Sequence, residues 1–106
     1  MDDRELLERA TKAAGIDVMH MALSGFNIMS GPDAGRLWNP LNSDGDALRL
    51  AVALCIRITW TANCVFARRR QSAYTFEAFD NHQDRNAATR LAIVRAAAAM
   101  EGGSDA

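Results

Sequence analysis

The sequence predicts an α+β fold, a small sandwich in which an antiparallel sheet packs against two or three helices. The first observation is a set of three short runs, between residues 56 and 79, in which apolar and polar residues alternate. The second is that residues typical of helix caps, Ser43 and Asp84, precede two apolar segments. The third is size, because 106 residues of which 49% are hydrophobic suit one domain. We expect this domain over residues 1–101 and a flexible, glycine-rich tail over residues 102–106.

The first helix is expected from Asp3 to about Ala14. Its apolar residues recur at helical spacing, and Gly15 can adopt the left-handed conformation that ends a helix. The apolar stripe is narrow and its residues are small. We therefore expect this helix to pack as an outer layer.

Residues 16–29 permit two interpretations. A hairpin that turns at Ser24 and Gly25 is the simpler one, and it would add an N-terminal pair of strands to the fold. Apolar residues on both faces leave a helix open for residues 17–23. Residues 30–36 contain glycine, proline and aspartate and are predicted to form a surface loop.

The second helix follows a rigid turn at Pro40, since proline prevents a helix from beginning before it. Ser43 is the predicted N-cap, and Asp46 three residues later forms a weaker, aspartate version of the capping box. Within residues 47–55 the only charged residue is Arg49. This pattern predicts a central core helix that is covered on most sides.

The second half of the chain is predicted to hold a three-stranded meander and a last helix. The strands correspond to residues 56–60, 64–69 and 74–79, and the short links between them favour antiparallel pairing. The last helix is expected from about Arg85 to Met100, with Asp84 as its N-cap.

Two stretches of the chain resemble a known family. They are Trp-Asn-Pro-Leu-x-x-Asp-Gly-Asp-Ala-Leu-Arg-Leu-Ala-Val from Trp38 and Ala-Thr-Arg-Leu-Ala-Ile-Val-Arg-Ala-Ala-Ala from Ala88, together about a quarter of the chain. Both are similar to small proteins of phages and prophages that are grouped as phage ABA-sandwich domains. The resemblance implies a compact α/β sandwich and a phage origin, and it offers no catalytic residues to carry over.

Charge is distributed unevenly along the chain. Residues 1–46 carry a net charge of −4 and residues 47–95 a net charge of +5, while the whole chain carries −1. The two halves either neutralise each other within the fold or present an acidic and a basic face to partners.

Composition excludes several classes of protein. The chain has no apolar run of about 20 residues that could span a membrane, and its charged amino terminus is unlike a secretory signal. We expect a cytoplasmic protein, and the resemblance to phage proteins implies the host cytoplasm. Cys55 and Cys64 are then predicted to be buried free thiols.

Arginine and aromatic residues provide the candidate binding site. Arg68, Arg69 and Arg70, with Arg57 and Tyr74, have the charges and the ring that nucleic acids need. The same arginines are also typical of a solvated strand edge that discourages aggregation.

Arg90 and Trp38 each permit two interpretations. Arg90 lies on the apolar side of the last helix, where it meets either an acid, such as Glu77 or Asp46, or an anionic ligand. Trp38 is either a binding aromatic or a lid over the core.

No motif indicates catalysis, a metal or a cofactor. The histidines and cysteines lack the spacing of metal ligands, and the segment Asp-Gly-Asp at residues 44–46 is not followed by the other oxygen ligands of a calcium loop. His82 with Asp80 or Asp84 is the one candidate acid/base group, and a polar cap region explains it as well. We expect a protein that is not an enzyme and holds no cofactor or metal.

The resemblance to small phage proteins, together with the missing catalytic motif, implies non-catalytic binding of a host protein, as a phage accessory protein that inhibits a host defence or regulatory system. The alternative is a nucleotide- or nucleic-acid-binding module that uses Arg57, Arg68, Arg69, Arg70 and Arg90. Apolar residues on both faces of several strands also leave a homodimer open.

Overall fold

The computed structural model describes residues 2–21, 25–29, 31–32, 34–69 and 74–102, without the side chains of residue 21 and residues 100–102. These residues form three helices and two three-stranded antiparallel sheets, so the predicted α+β class is confirmed. The helices are α1 (Asp3–Ala14), α2 (Asp44–Leu54) and α3 (Arg85–Gly102). The first sheet contains β1 (Val18–Met21), β2 (Gly25–Ile28) and β3 (Leu37–Trp38), and the second contains β4 (Ile56–Trp60), β5 (Cys64–Arg69) and β6 (Thr75–Ala78). A short 3₁₀ turn, Phe79–Asn81, links β6 to α3.

The ends of α1 and α3 follow from local sequence. The carboxylate of Asp2 accepts a hydrogen bond from the backbone N–H of Glu5 at 2.8 Å, and Gly15 ends α1 with φ 72°. The Asp84 carboxylate accepts from the backbone N–H of Ala87 at 2.7 Å, as predicted for the cap of α3. Helix α3 includes Gly102, which was expected in the tail, and residues 103–106 lie outside the described residues.

The start of α2 confirms one predicted cap and corrects the other. The Ser43 hydroxyl accepts from the backbone N–H of Asp46 at 3.2 Å, as expected. The Asp46 carboxylate does not return to the cap residue, because it accepts instead from the backbone N–H of Asn39 at 2.9 Å and from Arg36 and Arg49. The chain before α2 thus passes beside its first turn and supplies donors to this buried carboxylate.

Helix α2 ends at Leu54 and is followed by its C-cap, Cys55, which has φ 54° and is exposed. The prediction of a buried thiol within the helix is therefore wrong for Cys55. Cys64 is half-buried on β5 and is also free. A non-glycine residue in the left-handed region is unusual, and here it turns the chain directly from α2 into β4.

The first sheet contains the predicted hairpin and one unpredicted strand, although Gly25, which was expected in the turn of the hairpin, begins β2 and pairs with Met21. Strands β1 and β2 pair antiparallel, so the helical alternative for residues 17–23 is wrong where it overlaps β1, and residues 22–24 lie outside the described part of the chain. Strand β3 pairs with β2 and places Trp38 opposite Phe26. Two residues are too few to show alternation in the sequence, which is why β3 was not predicted.

The centre of the fold is α3, not α2. Helix α3 contacts α1, α2 and the second sheet, and its buried alanines at positions 88, 92 and 97 allow close approach. On α2, Leu48 and Val52 are exposed, so the prediction of a helix covered on most sides is wrong. The outer-layer prediction for α1 is also wrong, because its apolar stripe packs on α3 as part of the core.

The second sheet turns one face towards α3. Val65 and Ala67 are fully buried on this inner face, and the Thr75 hydroxyl donates to the carbonyl of Ala92 in α3 at 2.9 Å. Side chains at the alternate positions project from the opposite, outer face. Among the described residues, no helix is long and apolar enough to cross a membrane.

Candidate binding surface

The outer face of the second sheet gathers aromatic and arginine side chains in adjacent rows. Register places Arg57 opposite Arg68 and Phe66 opposite Phe76, and Tyr74 lies just before β6 beside this pair. The outer sheet face, as this surface is called below, consists of Arg57, Thr59, Cys64, Phe66, Arg68, Tyr74, Phe76 and Ala78. It is built from three consecutive strands, so its geometry is set by the sheet itself and not by a loop.

Three rings form a contiguous cluster on this face. The Phe66 ring is stacked on the Phe76 ring, with centroids 5.7 Å apart and planes 28° apart, and meets the Tyr74 ring edge-on at 6.0 Å. Phe76 is nevertheless 56% exposed and Tyr74 48% exposed. These rings make the outer sheet face a candidate binding surface.

Two guanidinium groups border the rings. The Arg68 guanidinium carbon lies 4.6 Å from the centroid of the Tyr74 ring, a cation–π contact. Arg57 is directly cross-strand from Arg68 on the same face, and like charges in such a pair destabilise a sheet. The outer-face positions described by the structure carry no acid, so an anionic group brought by a partner would relieve this repulsion.

The alternation of residues along the strands places Phe66 on the same sheet face as Arg68, and Phe76 on the same face as Tyr74. Alternation does not show which face of the sheet the helices cover. For that reason neither phenylalanine is among the predicted binding residues. Arg57, Arg68 and Tyr74 were predicted, and the structure brings them together. Arg69 belongs to the other face of β5, opposite Ile56, and Arg70 lies outside the described residues.

Arg90 takes part in an internal ion pair, which confirms the first of its two interpretations. Its Nε donates to the carbonyl of Leu41 at 2.8 Å, and its Nη1 lies 2.6 Å from Oδ1 of Asp44. The partner is thus Asp44, whereas Glu77 and Asp46 were the acids named from the sequence. The interaction joins α3 to the first turn of α2, where an acid also suits the helix dipole.

Trp38 is only 2% exposed and lies in the core, which confirms its interpretation as a lid. Trp38 pairs with Phe26 in the first sheet, whereas the outer sheet face belongs to the second sheet. Trp38 is therefore removed from the candidate binding residues.

A second polar cluster lies in a cleft of about 790 Å³ that α1, β6 and α3 line. The buried Glu77 carboxylate is 2.8 Å from Nε2 of His82 and accepts a hydrogen bond from Arg95. The predicted pairing of His82 with Asp80 or Asp84 is therefore wrong. Its partner is five positions away and on the inner face of β6, beyond what a local motif can show.

The chemistry of this cleft is that of a structural network. Thr75 is the hydroxyl residue that lines it, and its hydroxyl is directed to the backbone of α3. Both oxygens of Glu77 already have partners. Within the described residues, no group of three or more His, Cys, Asp or Glu side chains could hold a metal ion.

A scan against protein-family models, a search of curated proteins and a search of solved structures each found no match. The resemblance to phage ABA-sandwich domains therefore stays a prediction.

Proposed function

We propose that the chain is a non-catalytic binding protein whose outer sheet face docks on an acidic surface of a host protein. One observation carries this proposal: exposed aromatic rings adjoin a cross-strand pair of arginines on a sheet face that no described element covers. Aromatic residues and arginine are enriched in protein interfaces and supply most of their binding energy. Carboxylates of the partner would pair with Arg57 and Arg68 while its apolar atoms cover the rings.

The charge of the chain favours a protein over a nucleic acid as the partner. The chain has a pI of about 6.1, whereas domains that bind nucleic acid are typically strongly basic.

The arginines named for the nucleic-acid alternative are also dispersed. Only Arg57 and Arg68 share the outer sheet face among those that the structure describes. Arg69 faces the other side of the sheet, and Arg90 pairs with Asp44. Two phosphate contacts would give weak, salt-sensitive binding.

The resemblance of two motifs to phage ABA-sandwich domains supports a phage or prophage origin. We therefore propose a phage accessory protein that acts in the host cytoplasm as a stoichiometric inhibitor of a host defence or regulatory system. Inhibition would follow from coverage of an acidic functional surface of the partner by the contacts that the outer sheet face offers.

The test is a pulldown from host lysate with the tagged chain, with and without nuclease, followed by titration of the purified partner. We expect a protein partner that survives nuclease and whose affinity falls about tenfold or more with Arg68→Glu. This change turns a repulsive cross-strand pair with Arg57 into an attractive one. The free energy of unfolding should therefore stay the same or rise while binding is lost.

The matched control is Arg4→Glu on α1, which makes the same charge change at an exposed residue whose pair with Glu8 is on the surface. It should bind the partner like the wild type. Loss of all captured material after nuclease would instead support the nucleic-acid alternative. Equal affinity of Arg68→Glu and wild type would exclude the outer sheet face as the binding surface.

A further inference from the structure

Strand β6 lies at one edge of the second sheet. The strand order is β4-β5-β6, so among the described strands β5 is the one that pairs with it. Next to the register pair Cys64 and Ala78, the backbone N–H of Phe79 donates to the carbonyl of Asn63 at 2.9 Å. Hydrogen-bonded and non-hydrogen-bonded pairs alternate along an antiparallel ladder. Ala78 therefore belongs to a non-hydrogen-bonded pair, and so does Phe76, two positions before it.

This alternation leaves backbone groups of β6 at the edge of the sheet. The N–H and C=O of Phe76 and the N–H of Ala78 point away from β5, and no described strand lies on that side. A row of such unpaired groups is a template for pairing with another extended chain.

A cleft runs beside this edge. Helix α1, which packs on α3, faces β6 across the cleft of about 790 Å³ described above. Leu6 of α1 and Leu91 and Ala98 of α3 supply apolar surface to it. The polar network of Glu77 at the same cleft is satisfied internally. The cleft thus combines unpaired backbone groups on its wall with apolar side chains from the helices.

We propose that this cleft accepts an extended segment of a partner protein, which pairs with β6 as a fourth strand of the second sheet. The backbone of the segment binds the N–H and C=O of Phe76 and the N–H of Ala78, which is recognition by strand addition. Successive side chains of a strand point to opposite faces, so every second residue of the segment enters the cleft. These residues are expected to be apolar, because they meet Leu6 and Leu91. The inference does not depend on the proposed docking of the outer sheet face.

The position of α1 favours a single extended segment over a second copy of the chain. Two copies that paired antiparallel through β6 would be related by a twofold axis perpendicular to the sheet. Their helices would then lie on the same side of the joined sheet, and α1 of each copy would compete for the space beside β6. A segment that carries no helix of its own meets no such obstacle.

The probe for the experiment is a phage-displayed library of random peptides of about ten residues, selected on the immobilised full chain. The most enriched peptide is synthesised with a fluorophore and titrated against purified variants by fluorescence anisotropy. We expect the enriched peptides to carry apolar residues at alternate positions. Bound peptide should also slow hydrogen exchange at the amides of Phe76 and Ala78.

Ala78→Pro is the decisive variant, because it removes an edge N–H and leaves the side chains that line the cleft in place. Ala78 has φ −77°, which proline adopts without strain, and β5 does not bind this N–H, so the fold should persist. Circular dichroism checks this. Affinity for the peptide should fall about tenfold or more.

The matched control is Ala78→Val, which adds bulk at the same position and keeps the N–H. It should bind the peptide like the wild type. Arg68→Glu should also bind the peptide normally, since it alters the outer sheet face and not the edge of β6. This variant separates the strand-addition site from the surface proposed to dock on a host protein.

Four results would overturn the proposal. One is a selection that enriches no peptide. Another is a folded Ala78→Pro variant that binds the selected peptide as tightly as the wild type. The third is a peptide that loses affinity with Arg68→Glu and protects neither edge amide, which would place it on the outer sheet face. The fourth is a wild-type chain that sediments as a dimer and an Ala78→Pro variant that sediments as a monomer, which would make a second copy the occupant of the edge.

Discussion

Asp46 and Glu77 are both buried carboxylates that contact two basic side chains each, but their surroundings are built differently. Asp46 lies between Arg36 and Arg49 and also accepts from the backbone N–H of Asn39, all within fourteen residues of chain. Glu77 is bound by His82, next to the 3₁₀ turn, and by Arg95 on α3. The Asp46 cluster shapes a local turn, whereas the Glu77 cluster joins elements that are separate in the sequence.

The difference predicts which carboxylate matters more for stability. Removal of a buried acceptor costs most when a donor that cannot move is left behind, and a backbone N–H is such a donor. Arg95 is instead about half exposed, so its guanidinium can turn to water. Asp46 should therefore contribute more than Glu77, although Glu77 connects more distant elements.

Asp46→Ala is expected to have the largest effect, a loss of about 3 kcal/mol in the free energy of unfolding. It leaves the Asn39 N–H without an acceptor and two guanidinium groups without their common carboxylate. Urea denaturation with a constant m-value measures this loss. Asp46→Asn is the control, because it keeps an oxygen acceptor, loses the charge and should cost about half as much. Equal losses for the two variants would show that the charge alone matters.

Glu77→Ala is expected to cost less, about 2 kcal/mol, because the groups it leaves are side chains and not backbone. Half-buried His82 should account for most of this loss, as it has less access to water than Arg95. The same denaturation series measures both substitutions. If Glu77→Ala proved as costly as Asp46→Ala, the long-range cluster would be the more important one and the comparison would be reversed.

The sequence predicted what local chemistry determines. Capping at Ser43 and Asp84 and the left-handed stop at Gly15 depend on residues within one turn of the helix end, so all three were found. The second sheet was found because alternation continues through three strands, each long enough to show it.

The sequence could not predict the partners of buried side chains that are distant along the chain, or which faces of the helices and sheets would be covered. The partner of Asp46 depends on how the preceding loop passes α2, and that of Glu77 on the position of α3. The central place of α3 was missed because alanine adds little hydrophobic signal while it permits the closest packing. For the candidate site, alternation placed Arg57, Arg68 and Tyr74, but the exposure of Phe66 and Phe76 depends on which face α3 covers.

The smallest losses in the free energy of unfolding are expected when the half-exposed arginines beside the two carboxylates are replaced by alanine. After Arg49→Ala, Asp46 keeps both Arg36 and the Asn39 N–H, so we expect a loss of about 0.5 kcal/mol. After Arg95→Ala, Glu77 keeps only His82 among its described partners, and we expect a loss of about 1 kcal/mol. The two side chains are similarly exposed, at 57% and 53%, so the difference isolates the number of remaining donors. Thermal or urea unfolding of the two variants measures this difference in stability. A greater loss for Arg49→Ala than for Arg95→Ala would mean that the Asn39 N–H does not hold Asp46 as the geometry indicates.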